Sequence, residues 1–218
     1  MPTPTPSTLL RAKTVVIVLL VCGVCIALAH ALDPWAYQAS ARFVGSLSKP
    51  VAMFDWYQQL RQLGSVVPWL ILALVWWLAG VGARARHELP RPERIPTALA
   101  LAVVIAGVAA ELFKPLIGRM RPEDTGGVYL FMPLGERAGR WSDLGIPSSH
   151  VAVAFAAALV LTRWRPLAGV VLIPLALGTS LTRVLNANHF FSDTATGAAI
   201  GLLSAWASWS MCKGGRAE

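Results

Sequence analysis

Six apolar stretches, at approximately 14–32, 65–82, 96–117, 149–162, 167–185 and 190–211, constrain this chain more than any other feature. Each is long enough to cross, or nearly cross, a hydrocarbon core about 30 Å thick. With 56% of residues hydrophobic, 14% charged and a mean hydropathy of +0.58, the bilayer is the expected solvent. The spacing predicts an all-α fold, a bundle of six transmembrane helices. The fourth stretch is short and the last two carry polar residues at one end, as helices flanking a site do.

A net charge of +8 would, taken alone, suit nucleic acid. The basic residues, however, lie in short segments between the apolar runs and form no stripe with interleaved aromatics, which argues against a nucleic-acid groove. Their use is membrane orientation. If the stretches alternate, Arg11 and Lys13, then Arg84, Arg86, Arg91 and Arg94, then Arg163 and Arg165, then Lys213 and Arg216 share one side, expected to be cytoplasmic. The other side receives the loops 33–64 and 118–148 and a turn at 186–192. Trp35, Trp56 and Trp141 fall near that outer face, and Trp76, Trp77, Trp164 and Trp209 near the inner one.

The chain reads as an N-terminal tail, 1–13, a single transmembrane domain, 14–211, and a C-terminal tail, 212–218. Arg11 and Lys13 before the first stretch, and Ala29-His30-Ala31 at its end, resemble a secretory signal. The apolar run exceeds a usual signal core, which points to an uncleaved anchor. The loop 33–64 is expected to lie along the interface as one or two short helices with a break at Pro50. Cys22 and Cys25 read as small packing residues of a lipid-facing helix, and no disulfide framework follows.

Three polar clusters interrupt this pattern. The third stretch ends in KPLIGRMRP, with Lys114 about a turn inside the boundary and Arg121 just beyond it. A charge there costs free energy, so some compensation is expected, with snorkelling to headgroups the plain explanation. The fourth opens with Pro147-Ser148-Ser149-His150, where Ser148 is a candidate N-cap and free amides at the helix start favour an anion beside His150. An ordinary cap is the plainer alternative. Arg183, His189 and Asp193 follow at the junction of the fifth and sixth. If His189 and Asp193 share a helical face, the carboxylate accepts from one imidazole nitrogen and leaves the other as a nucleophile. A purely structural hydrogen bond fits that pair equally well. Arg119, Glu123 and Asp124 read as solvated loop charges.

Alternation of the spans brings all three clusters to one membrane face. Cations, a helix N-terminus with a histidine, and an oriented histidine meeting there describe a site that handles phosphate.

These segments resemble the type 2 phosphatidic acid phosphatase family, lipid phosphatases related to vanadium haloperoxidases, over roughly residues 96–205. The family's Lys, six residues, Arg-Pro pattern is complete as Lys114 to Arg121-Pro122. Its Pro-Ser-Gly-His appears with Ser149 replacing Gly, which removes the freedom to take φ > 0. Its Ser-Arg, five residues, His, three residues, Asp appears with Thr182 replacing Ser. The resemblance implies metal-independent phosphoryl transfer without a cofactor, in which His189 attacks phosphorus and Asp193 holds its ring. It implies that His150 acts as acid and then base, and that Lys114, Arg121, Arg183, Ser148 and Ser149 bind the phosphate. The implied substrate is a phosphorylated lipid at the outer face of a bacterial-type plasma membrane: a polyprenyl diphosphate, phosphatidylglycerol phosphate, phosphatidate or a lipid A phosphate. A lipid phosphotransferase using the same site is a second reading. A transporter or scaffold with a relict site is a third.

Overall fold

A computed structural model describes residues 6–85 and 94–213. Arg86, Arg91 and Arg216, and the side chains of Arg11, Arg84 and Lys213, on which part of the orientation argument rests, lie outside the described residues. The described chain is helical: α1 Pro6–Gly45, α2 Asp55–Gln62, α3 Val66–Ala85, α4 Arg94–Ile117, a single turn α5 Pro122–Thr125, α6 Ser149–Trp164, α7 Gly169–Leu185 and α8 Phe191–Lys213.

A helix stands at each of the six apolar stretches, but fewer are long and apolar enough to cross a membrane. Lys13–Gly45, Arg94–Ile117 and Pro166–Leu185 meet that standard. Val66–Gly82 does so only together with Asp55–Gln62, from which it is bent by 61°. Helix α6 is short at 16 residues, and α8 opens on the polar Ser192, Asp193, Thr194 and Thr196. Many apolar side chains of α1, α3 and α4 face outward, among them Leu20 at 64% exposure, as expected of surfaces solvated by lipid.

Helix α1 overruns both expected boundaries. It begins inside the expected N-terminal tail and continues through residues 33–45, which the sequence reading gave to a loop. Pro34 does not stop it. A proline inside a helix leaves the carbonyl four residues earlier without its N–H partner, and that carbonyl, on His30, has the Tyr129 hydroxyl oxygen 3.3 Å away. The loop's remainder holds a short 3-10 turn at Val51–Met53 and then α2, with Pro50 at the break as expected. Thr179 of α7 donates to the Leu60 carbonyl at 2.8 Å and holds α2 against that helix.

The core is built from small residues around α6, which packs on α4, α7 and α8. Ala152, Ala156 and Ala157 of α6 and Ala98, Ala102, Ala106 and Ala110 of α4 are buried. Two glycines of α8 let the α6 backbone approach closely. A Cβ on Gly197 would stand 2.5 Å from the Ser148 carbonyl oxygen, and one on Gly201 would stand 2.6 Å from that of Ala152. This four-residue spacing of glycines is a common device for close helix contact in membranes, where dispersion rather than water exclusion drives association. Replacing Gly201 with alanine should therefore lower stability by about 1–3 kcal/mol. Thermal unfolding in detergent micelles reads the effect, and an unchanged midpoint would contradict the packing argument.

Candidate active site

The candidate site lies at the end of the bundle where α4 and α7 finish and α6 and α8 begin. The loop 118–148 covers this end through isolated antiparallel bridges, Arg119 with Phe131 and Met120 with Leu144. Arg137 secures its base. It donates to the carbonyls of Pro115 at 2.7 Å and Leu116 at 3.0 Å, the open acceptors at the C-terminus of α4, and to Met132 at 2.8 Å.

The eight residues singled out from sequence converge here. His189 is buried at 3% exposure, and Arg183, Arg121 and Lys114 all impose positive potential on it. Arg183 and Lys114 also act on His150, in the first turn of α6, and Arg61 from the end of α2 joins them. Ser148 is the residue before α6, and its amide donates to the Asp193 carbonyl at 3.1 Å, tying the starts of α6 and α8 together. Ser148 is the N-cap by position, but its side chain makes no capping hydrogen bond. Its Oγ is left free within the site.

Ser148 Oγ belongs to a wider pattern. Among the described residues, the buried side-chain polar atoms without a protein partner are Arg119 Nε, Arg121 Nε, Ser148 Oγ, Arg183 Nε, His189 Nδ1 and Trp209 Nε1. All but the last belong to this end of the bundle. Buried polar atoms are almost always paired with protein groups or ordered water, and an anion could serve the arginine and serine donors gathered here.

Three expectations are corrected. His189 and Asp193 do not share a helical face, because α8 starts at Phe191 and His189 precedes it. Their closest approach, Nδ1 to Oδ2, is 3.7 Å, longer than a hydrogen bond. Asp193 instead closes the start of α8, its Oδ2 accepting from the Phe190 amide at 2.8 Å in the manner of an acidic side chain at the third helical position. Its Oδ1 is ion-paired with Arg119.

Arg119, read as a solvated loop charge, is 4% exposed. It pairs with Asp193, donates to Ser192 Oγ at 2.8 Å, and lies over the rings of Tyr129 and Phe190 at 5.3 and 5.1 Å. Glu123 is exposed, as expected of a loop charge, and it also accepts from Asn188 Nδ2 at 2.8 Å and from Arg121 Nη1 at 3.4 Å. The third correction concerns Lys114, whose compensation is a partner: Glu111 Oε1 accepts from its Nζ at 2.7 Å. An acid one turn before a lysine in an apolar helix was a visible signal for that pair.

Two other contributors left no sequence signal. Asp33 of α1 is buried at 1% exposure beside Ser192, and Gly64 lies directly against His150. A Cβ on Gly64 would stand 2.6 Å from that of His150, so only glycine lets the α2–α3 turn pass there.

Burial, and then the positive charges of Arg183, Arg121 and Lys114, hold the His189 imidazole well below its usual 6.5, opposed by the Gly145 carbonyl. The ring therefore stays neutral, with a free lone pair, at pH values where an exposed histidine would be protonated. The midpoint of the His189 ring titration, followed by NMR in detergent, should thus lie well below pH 6.5. Arg183→Gln, which removes one of those charges, should move that midpoint upward. A midpoint that stays in place or falls would contradict the electrostatic argument.

The PAP2 superfamily matches residues 95–214, which include the eight candidate site residues. The lipid A 1-phosphatase of Rhizobium etli is 31% identical over 172 residues, 72% of this chain and 71% of that relative. The decaprenylphosphoryl-5-phosphoribose phosphatase of Mycobacterium tuberculosis is 35% identical over 138 residues, 62% of this chain and 66% of that relative. Among solved structures, the first transmembrane PAP2 type phosphatidylglycerolphosphate phosphatase from Bacillus subtilis superposes with a TM-score of 0.65 at 19% identity, covering 93% of this chain and 98% of the other. LpxE of Aquifex aeolicus gives a TM-score of 0.54 at 19% identity, covering 82% and 95%. At such identity the structural likeness speaks for the fold.

Proposed function

The chain belongs to the PAP2 superfamily, and from that premise we propose that it is a membrane-embedded phosphatase that removes phosphate from a lipid through a phosphohistidine intermediate. The observation that carries this reading is the set of unpartnered buried donors on Arg121, Ser148 and Arg183, beside His189, at one end of an apolar bundle. A tetrahedral phosphate offers acceptor oxygens to them, and developing charge on those oxygens is what such a clamp stabilises best.

In this reading a lone pair of His189 forms the bond to phosphorus while the bond from phosphorus to the lipid oxygen breaks. His150 gives its proton to that leaving oxygen. It then takes a proton from water, whose oxygen attacks phosphorus and breaks the bond to His189, releasing inorganic phosphate. Asp193, 3.7 Å from His189 Nδ1, stabilises the positive charge on the phosphorylated ring. Lys114, Arg121, Arg183 and the amides following Ser148 hold the phosphoryl oxygens. All these groups belong to the chain, so chelators should leave activity intact.

Two further features favour a lipid. A groove of about 540 Å³ leads from His150 and Glu111 past Gly64 and Trp141 to the outward-facing Val104 and Val108. It lets a phosphate reach the site while its tail stays in hydrocarbon. The curated relatives, by name, remove phosphate from lipid A and from decaprenylphosphoryl-5-phosphoribose. The substrate class is therefore a lipid monophosphate or diphosphate, with polyprenyl diphosphate, phosphatidylglycerol phosphate, phosphatidate and lipid A phosphates as candidates. The site faces outward from a bacterial-type plasma membrane crossed six times. Supporting this orientation, Arg163 and Arg165 stack on Trp209 and Trp164 at the opposite end of α6.

Purified protein should release phosphate from at least one of these four lipids in detergent, with and without chelator. Absence of release across the panel, or strict dependence on a divalent metal, would overturn the proposal. Label passing to an added lipid acceptor instead of to water would identify a phosphotransferase.

A further inference from the structure

Helix α1 lies outside the segment that the family match covers, yet it sends a carboxylate into the catalytic end of the bundle. Ala29, Asp33 and Ala36 fall on one buried stripe of α1, and the small alanines let the helix approach α8 closely enough for Asp33 to reach it. Oδ1 of Asp33 accepts from the Ser192 amide at 2.8 Å. Oδ2 accepts from Ser192 Oγ and, at 2.8 Å, from the Tyr129 hydroxyl. His30 Nδ1 stands 3.7 Å from the same oxygen.

These contacts form one continuous structure with Asp193. Ser192 Oγ donates to Asp33 and accepts from Arg119, whose guanidinium is ion-paired with Asp193. Asp33 faces that guanidinium electrostatically as well. Tyr129, held by Asp33, supplies one of the two rings over which Arg119 lies. Two buried carboxylates thus share one buried cation, and the residue between them in the chain of contacts adjoins Asp193 in sequence.

We propose that Asp33 is a positioning residue for the phosphoryl transfer, holding Ser192, Tyr129 and Arg119 so that the Asp193 carboxylate stays against His189. The proposal rests on the phosphohistidine chemistry described above. Simple attachment of α1 to the bundle requires no charge, since Ala29 and Ala36 already provide apolar contact on either side. A buried carboxylate is costly and persists where its hydrogen bonds are complete and its charge is used. Here the charge is used twice, at the first turn of α8, where free amides favour an anion, and at Arg119.

The test is rapid-quench measurement of phosphohistidine formation, using whichever radiolabelled lipid of the panel above turns over fastest. Asp33→Asn keeps shape and volume and removes the charge. Its burst rate should fall about tenfold or more, the effect of weakening a charge-assisted hydrogen-bond network. Burst amplitude, KM and inhibition by inorganic phosphate, which report folded sites and the clamp, should hold. A merely structural role would reduce amplitude and leave the rate per site unchanged, and that outcome would overturn the proposal. Should Asp33→Asn fail to fold, Tyr129→Phe and Ser192→Ala each remove one hydroxyl from the network. Reduced burst rates at full amplitude in these variants support it, and wild-type rates overturn it. A wild-type protein without any burst overturns the phosphohistidine reading and this proposal together, whereas a normal wild-type burst with an unaltered Asp33→Asn rate overturns the Asp33 assignment alone.

Discussion

Replacing His189 by alanine should reduce kcat by about 10⁴-fold or more while leaving the protein folded and in the membrane. The ring is neutral because it is buried and faces three cations, and that positive field attracts the phosphate the ring would attack. The local backbone is held independently of the ring, by the His189 amide donating to the Arg183 carbonyl at 3.3 Å. Residual turnover would come from the clamp and His150 acting on water directly. Two measurements on detergent-purified protein decide the matter: phosphate release, and acid-labile label on the protein after quenching. Full activity in this variant would sink the nucleophile assignment.

Arg119→Met should be the most destabilising single change at this end of the molecule. The guanidinium is 4% exposed and Asp193 is fully buried, so methionine fills much of the volume but leaves two carboxylates, Asp193 and Asp33, without their shared cation. Removing one partner of a buried ion pair typically costs about 3–5 kcal/mol, because the remaining charge stays desolvated. The midpoint of thermal unfolding should fall accordingly. Asp193→Asn in the same background should restore part of the loss by removing one stranded charge. A double variant no more stable than Arg119→Met would show that the pair is not the source of the cost.

The meeting of Lys114, Arg121, His150, Arg183 and His189 was legible in the sequence, because alternating apolar helices leave little freedom in which ends face the same side. Its supports were less so. Asp33 and Ser192 are 159 residues apart, and nothing local to either betrays the contact. Arg119 was misread because a charged residue in a connecting segment ordinarily points to water, whereas here the loop is stitched down by bridges at Arg119 and Met120. The His189–Asp193 geometry failed for a different reason. A four-residue spacing implies adjacency only within a helix, and the helix begins two residues after His189. The first apolar stretch was expected to end at residue 32, and the group that meets the carbonyl freed by Pro34 comes from Tyr129, 99 residues away from His30. Glu111 could have been foreseen beside Lys114.

The contact between α6 and α8 has a consequence for how such a protein can diversify. Gly197 and Gly201 press main chain against main chain, and the Ser148 amide joins the Asp193 carbonyl, so the separation of the two histidines is ruled by backbone and is indifferent to most side-chain changes. The groove beyond His150, by contrast, is walled by the side chains of Val104, Val108 and Trp141. If the proposed lipid enters by this groove, preference for one tail or headgroup can drift through substitutions in those walls without changing the separation of the two histidines, which leaves selectivity free to evolve while backbone contact fixes that distance.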